Sequence, residues 1–132
     1  MFQIEQGDCI GGYTSQCWES PERGERKADS SAFLFNLTRS RHFPSKASGK
    51  DIYCRDDYGP CFHGGGDGSE LAAFYPFNSK ENCRSYANQS GYNIPSETKK
   101  GLFSDTEINQ LTNKKDGAFT ISELEVWLLV DE

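Results

Sequence analysis

Five cysteines and two histidines carry most of the chemistry that this 132-residue chain could perform. Cys61 and His63 lie two residues apart, so on a strand they share one face. A thiolate beside an imidazole is a nucleophile or a redox centre. Hydrolysis would need a base held by a third group. Only His42 and His63 offer the base, and the order of residues singles out no orienting acid, although Asp67 is near. Thiol oxidation needs less, an exposed thiol of lowered pKa, so Cys61 and His63 are redox candidates before hydrolytic ones. A metal centre built from Cys61, His63 and Asp67 lacks a distant fourth ligand.

Other segments fail on their chemistry. With Gly117 at position 6 of a calcium loop, Glu123 falls at position 12 and Asp116 at position 5. Thr112 and Lys114 then occupy positions 1 and 3, and an ammonium at position 3 opposes the cation. Asp116-Gly117 reads instead as a turn. The run Gly64-Gly65-Gly66-Asp67-Gly68 lacks the Gly-Lys-Ser/Thr ending of a phosphate loop and the spacing of a dinucleotide fingerprint. It reads as close backbone packing. No cofactor is implied.

Cys9, Cys17, Cys54, Cys61 and Cys83 are odd in number, so complete internal pairing is impossible, and no C-x-x-C pair exists. No charged-then-apolar leader opens the chain. Reduced, half-buried thiols in the cytoplasm are expected; the sharper alternative is one disulfide, Cys54–Cys61. Asn36-Leu37-Thr38 and Asn88-Gln89-Ser90 match the glycosylation sequon and without secretion are chance matches.

Acidic residues number 20 and basic ones 14, for a net charge of -6. Nucleic acid draws its binding energy from Lys and Arg displacing counterions. Here Arg39, Arg41, Lys46, Lys50, Lys99, Lys100, Lys114 and Lys115 are scattered and read as solvated loops. Nucleic acid and anionic membranes are therefore not expected partners. Leu128-Leu129-Val130 falls far short of the ~20 apolar residues that span a bilayer.

The length suits one domain over residues 1–132, and neither repeat nor low-complexity linker divides it. Phe2-Gln3-Ile4-Glu5 alternates as a half-buried strand does. Gly7-Asp8 turns the chain, and Cys9 to Tyr13 returns, its glycine pair marking a bulge or a close backbone approach. Glu19 to Ser31 reads as a surface loop. Ala32 to Leu37 is apolar on both parities, the mark of a central strand covered on both faces. A loop follows through Pro44 and Gly49, then a short strand at Asp51 to Cys54 and a turn at Arg55 to Pro60. Leu71 to Tyr75 is a strand or a short helix. Pro76 to Lys100 is polar and irregular and packs through Tyr86, Tyr92 and Ile94.

Ser104-Asp105-Thr106-Glu107 matches a capping box with Phe103 and Ile108 as its staple, so a helix is expected over Asp105 to Leu111. In the last segment Phe119 and Ile121 share one parity, and Leu124, Val126, Leu128 and Val130 the other. A bulge near Ser122-Glu123 would restore the phase; otherwise Trp127 and Leu129 join Phe119 and Ile121 in a strand covered on both faces. Either way the segment is assigned to the core, as are Trp18, Phe33, Phe35, Phe74 and Trp127. The fold class expected is mostly β, two packed layers of antiparallel strands with one or two short helices.

Five ordered stretches resemble the TLDc domain family. They are Gly11-Gly12-Tyr13-Thr14-Ser15-Gln16 with Trp18; Ala32 to Leu37, including Phe33 and Phe35; Ile52-Tyr53; Tyr58-Gly59-Pro60-Cys61-Phe62 leading into Gly64, Gly65 and Gly66; and Phe119-Thr120-Ile121 followed by Leu124-Glu125-Val126-Trp127. The resemblance implies a β-sandwich flanked by short helices. It also implies a link to protection against oxidative stress and binding to the vacuolar proton-pumping ATPase, whose assembly several members regulate. It supplies no agreed catalytic residues; Glu125 matches the closing motif. Family members carry a helical and strand segment ahead of the strand matching Phe2 to Glu5, whereas Met1 opens here almost on that strand. A short variant, or a segment supplied by another chain, would follow, and uncovered strand edges would favour self-association.

Three functions are thus in competition: a non-catalytic module binding a protein partner such as proton-pump subunits, a thiol antioxidant using Cys61, and an extracellular adhesion or sugar-binding sandwich.

Overall fold

The computed structural model describes residues 1–5, 7–63, 70–74, 76, 83–85, 91–92, 94, 111 and 119–130. Ten strands are present among them: β1 (Phe2–Ile4), β2 (Cys9–Tyr13), β3 (Glu25–Lys27), β4 (Phe33–Asn36), β5 (Arg41–Pro44), β6 (Ile52–Cys54), β7 (Tyr58–Phe62), β8 (Leu71–Phe74), β9 (Cys83–Arg84) and β10 (Ile121–Leu124). They form two five-stranded sheets, β10-β1-β2-β4-β5 and β3-β6-β7-β8-β9. Every described pairing is antiparallel. The mostly-β class expected from the sequence is the one observed.

One core joins the sheets. Phe2, Ile4, Ile10, Leu34, Phe43 and Ile121 enter it from the first, and Ile52, Cys54, Phe62, Leu71, Ala73 and Cys83 from the second. Alternation along each strand turns these side chains to one face. The Gly11–Gly12 pair is the close approach anticipated. A methyl on Gly12 would lie 2.4 Å from the Phe62 ring of the facing sheet, and one on Gly11 would lie 2.6 Å from the Phe35 ring on the outer face.

The bulge also stands where the parity break put it. Gln3 pairs with Glu123 and the next residue, Ile4, pairs with Ile121, leaving Ser122 as the extra residue on β10. Phe119 and Ile121 are buried and Leu124 packs against the core.

Beyond Leu124 the expectation is corrected. Val126 to Val130 are 68 to 86% exposed, so Trp127 is outside the core. Trp18 is also outside it, at 37% exposure, with its edge against Phe62. Phe33, Phe35 and Phe74 lie half-buried on outer faces rather than inside. There they stack with neighbours: Tyr13 on Phe33 at 5.1 Å and Tyr58 against Phe74 at 4.4 Å between ring centres. β4 is interior as expected, but only its inward face, Leu34 and Asn36, is sealed.

Three loops contain strands. β3 lies within Glu19 to Ser31 and pairs with β6; its charged residues suit a sheet edge, where side chains face water. β5 lies in the loop read through Pro44, and its Pro44 is tolerated because β5 is also an edge. β7 starts at Tyr58, inside the segment read as a turn, and its register shift between Tyr58 and Cys61 accommodates Gly59 and Pro60. Leu71 to Phe74 is a strand, and β9 lies within the irregular segment, where Tyr92 and Ile94 are buried as expected. The expected helix up to residue 110, the turn at Asp116-Gly117, the glycine run, Asp67, Tyr86 and Asn88 lie outside the described residues.

Arg39 is exposed in the turn after β4, as expected, and its Nε lies 2.6 Å from Oδ2 of buried Asp8. Asn36 donates to that same oxygen at 2.8 Å, which ties the β4–β5 turn to the β1–β2 turn.

Candidate functional site

β7 ends, and β8 begins, beside a buried set of polar groups. Asp51 precedes β6, His63 follows β7 and Glu70 precedes β8, so three strand ends deliver them to one place. Asp51 and Glu70 are wholly buried and His63 nearly so. Buried charges persist only where hydrogen bonds or counter-charges replace water.

Asp51 is tied on every side. Its Oδ2 accepts the Asp29 amide at 2.7 Å, and its Oδ1 accepts the Ser45 hydroxyl. Its carbonyl accepts the His63 amide at 2.7 Å and the Tyr92 hydroxyl at 2.7 Å. Burial, with the charges of Asp51 and Glu70 nearby, pushes the Tyr92 hydroxyl far above its ordinary pKa, so it is a fixed donor.

Glu70 holds the other half. Its Oε1 accepts the amides of Gly91 at 2.9 Å and Tyr92 at 3.2 Å, and its carbonyl accepts the Ser85 hydroxyl. Nδ1 of His63 lies 2.8 Å from Oε2. Among the described residues no aligned hydrogen bond reaches that oxygen, so the contact is electrostatic and strengthens when the ring is protonated. Glu70 is therefore the acid beside His63, a role for which the sequence offered only Asp67. A signal existed: Glu70 directly precedes the apolar run Leu71 to Phe74.

The shared face that the spacing of Cys61 and His63 predicts holds only while both keep strand geometry. His63 has a φ of 61°, a left-handed conformation that takes it out of strand alternation. The Cys61 thiol donates to the His63 carbonyl, 3.8 Å away, and is itself wholly buried. A peroxide therefore reaches Cys61 only when the fold opens. All five cysteines are free thiols, so the Cys54–Cys61 disulfide is not present; both residues are buried inside the core rather than bridged. Burial pushes the Cys83 thiol up to about 11, and Cys17 alone is exposed.

A second anchor lies at Asp29. Burial acts to raise its pKa, but hydrogen bonds from Ser31, Thr14 and the Ser15 amide outweigh it and hold the carboxyl at about 2. Asp29 thus fastens Thr14 and Ser15, the continuation of Gly11-Gly12-Tyr13, to the loop before β4.

The remaining motif residues divide between interior and rim. Gly59 and Pro60 are half-buried on β7. Gly64, Gly65 and Gly66 lie outside the described residues. Glu125 pairs through its backbone with Met1, and its carboxylate accepts the Trp127 indole at 2.8 Å. Asn36 is wholly buried, so its sequon cannot be glycosylated on the folded chain. Among the described residues no cluster of three or more potential metal ligands occurs, and no helix is long and apolar enough to cross a membrane.

The family model of the TLDc domain matches residues 1–130, nearly the whole chain. No curated protein and no solved structure gives a significant match. The chain belongs to the TLDc family.

Proposed function

We propose that this TLDc domain is a non-catalytic interaction module of the cytoplasm, acting in oxidative-stress protection through a protein partner, with subunits of the vacuolar proton-pumping ATPase as the leading candidates. One observation carries the reading: Val126 to Val130, which adjoin and include the closing motif, expose five consecutive apolar side chains. Contiguous apolar surface of this kind marks a protein contact. The buried polar groups support the same reading. Asp51, Glu70, His63 and Tyr92 are engaged with one another and with backbone, the arrangement of a structural brace.

Pull-down with the peripheral sector of the proton pump tests the proposal. Capture above that of an acidic control protein is expected, and capture equal to the control overturns it.

The thiol reading takes a different form from the one the spacing suggested. With Cys61 wholly buried, the accessible thiol is Cys17. Peroxide consumption that survives replacement of all five cysteines would remove the thiol reading.

A further inference from the structure

We propose that the β4–β5 turn, β5 and the loop after it form one basic strip, from Arg39 to Lys50, and that an acidic segment of a protein partner docks on it. The inference rests on the interaction-module reading and names the chemistry of the partner.

The strip follows from where the charges fall. Residues 37–50 hold Arg39, Arg41, Lys46 and Lys50 with no acid among them, so all 20 acidic residues lie elsewhere in a chain of net charge -6. The β4–β5 hairpin gathers these cations along one sheet edge, because β5 is the last strand of the first sheet. Arg39, His42, Lys46 and Lys50 are exposed and Arg41 is half-buried. Leu37, 54% exposed at the turn, adds an apolar contact at one end. The backbone beneath is fixed. The Arg39 amide donates to Asn36 Oδ1 at 2.9 Å, the Ser45 amide to the Ala32 carbonyl at 3.0 Å and the Lys46 amide to the Gly91 carbonyl at 2.8 Å. A surface fixed in advance loses little freedom on binding. Arg41 to Lys46 span about 16 Å at strand rise, room for three acidic side chains on alternate residues of an extended segment.

Side-chain charge, rather than backbone pairing, selects the occupant. The Ser45 amide turns toward β4, so residues 44 and 46 face outward; Pro44 has no amide there, and that of Lys46 is taken by Gly91. An added strand therefore finds few donors on this edge. An extended anionic surface is disfavoured for another reason. A bilayer or a nucleic-acid duplex would bring the acid-rich remainder of the chain within a Debye length, about 8 Å at physiological salt, of further negative charge. A short acidic segment covers the strip alone, and the opposite charges steer it there. Two copies of the chain, each at -6, repel one another.

The test uses the whole chain. The probe is a labelled synthetic peptide in which glutamate alternates with valine; its twin has glutamine in place of glutamate. Fluorescence anisotropy should show saturable binding that weakens as salt rises, with the glutamine twin about tenfold weaker. Lys46→Glu with Lys50→Glu should weaken the glutamate peptide about tenfold. Arg23→Glu with Arg26→Glu makes the same change of net charge at exposed positions in and beside β3, and should alter affinity less than about twofold. Circular dichroism and urea midpoints check that both variants fold; Lys46→Gln with Lys50→Gln is the milder pair, with a loss of about threefold. Five results would each overturn the proposal. They are no saturable binding; equal affinity for the two peptides; equal loss in the two reversed pairs; tighter binding of duplex DNA or phosphatidylserine vesicles than of the glutamate peptide at the same salt; and self-association that Lys46→Glu with Lys50→Glu abolishes, which would make the occupant a second copy. Capture of the pump sector by the unaltered chain is measured in parallel, so failure there speaks to the functional reading and the peptide result speaks to the strip.

Discussion

A methyl group on Gly91 would lie 2.4 Å from Cγ of the His63 ring, closer than side-chain carbons approach. The ring cannot easily retreat, because Nδ1 is held 2.8 Å from buried Glu70 and the Gly91 amide bonds to that same carboxylate. Glycine at 91 is thus required by packing against the His63–Glu70 contact.

Gly91→Ala should therefore destabilise the fold by about 1–3 kcal/mol, the usual cost of overpacking. Gly49→Ala is the control. Gly49 has a φ of 79° with nothing within 4 Å of an added methyl, so only backbone strain of about 1 kcal/mol applies. Urea denaturation midpoints compare the two; a larger loss at Gly49 would contradict the packing argument.

Replacing Glu70 separates charge from hydrogen bonding. Glu70→Gln keeps an oxygen for the Gly91 and Tyr92 amides but loses the attraction to His63. Glu70→Ala leaves both buried amides without that acceptor, and each unsatisfied group costs about 1–3 kcal/mol. The alanine variant should be the less stable of the two by that order, read from the same denaturation curves.

Asp29 predicts a pH response of definite sign. Its folded pKa of about 2 lies below the ordinary value of 3.8. The stability it contributes is fully present above the unfolded pKa and is lost as pH falls through the folded one. Solvent screening keeps the contribution below about 2 kcal/mol, and it disappears between about pH 4 and pH 2. Asp29→Asn should flatten that part of the stability–pH curve, and an unchanged slope would count against the hydrogen-bonded carboxylate.

Thiol reactivity should follow burial. At pH 8 an alkylating reagent should modify Cys17 first. Cys54, Cys61 and Cys83 should react only in denaturant, with Cys83 further protected by a pKa raised to about 11. Mass spectrometry of the alkylated peptides reads the order, and early labelling of Cys61 would reopen its candidacy as a redox centre.

Local order carried much of the fold. The alternation of Phe2 to Glu5, the turn at Gly7-Asp8, the parity break near Ser122-Glu123 and the doubly apolar Ala32 to Leu37 each reappear as β1, the β1–β2 turn, the β10 bulge and interior β4. These features depend on period-two burial, which a single strand displays by itself. β3 and β5 were illegible because an edge strand is held by backbone pairing to its neighbour, and its exposed side chains need not alternate. Trp18 and Trp127 misled because aromatic character sets a preference for burial, while a particular neighbour decides whether burial is available.

The sequence by itself determined a β-rich chain, a glycine pair marking a bulge or a close backbone approach, and the motif order that defines the family. The tertiary structure decided which acid meets His63 and which apolar segment stays bare. Glu70 reaches His63 across the unlike ends of β7 and β8, and Val126 to Val130 stand exposed after β10. Such long-range pairings depend on where separate strands terminate in space, and no local pattern of side chains encodes that meeting.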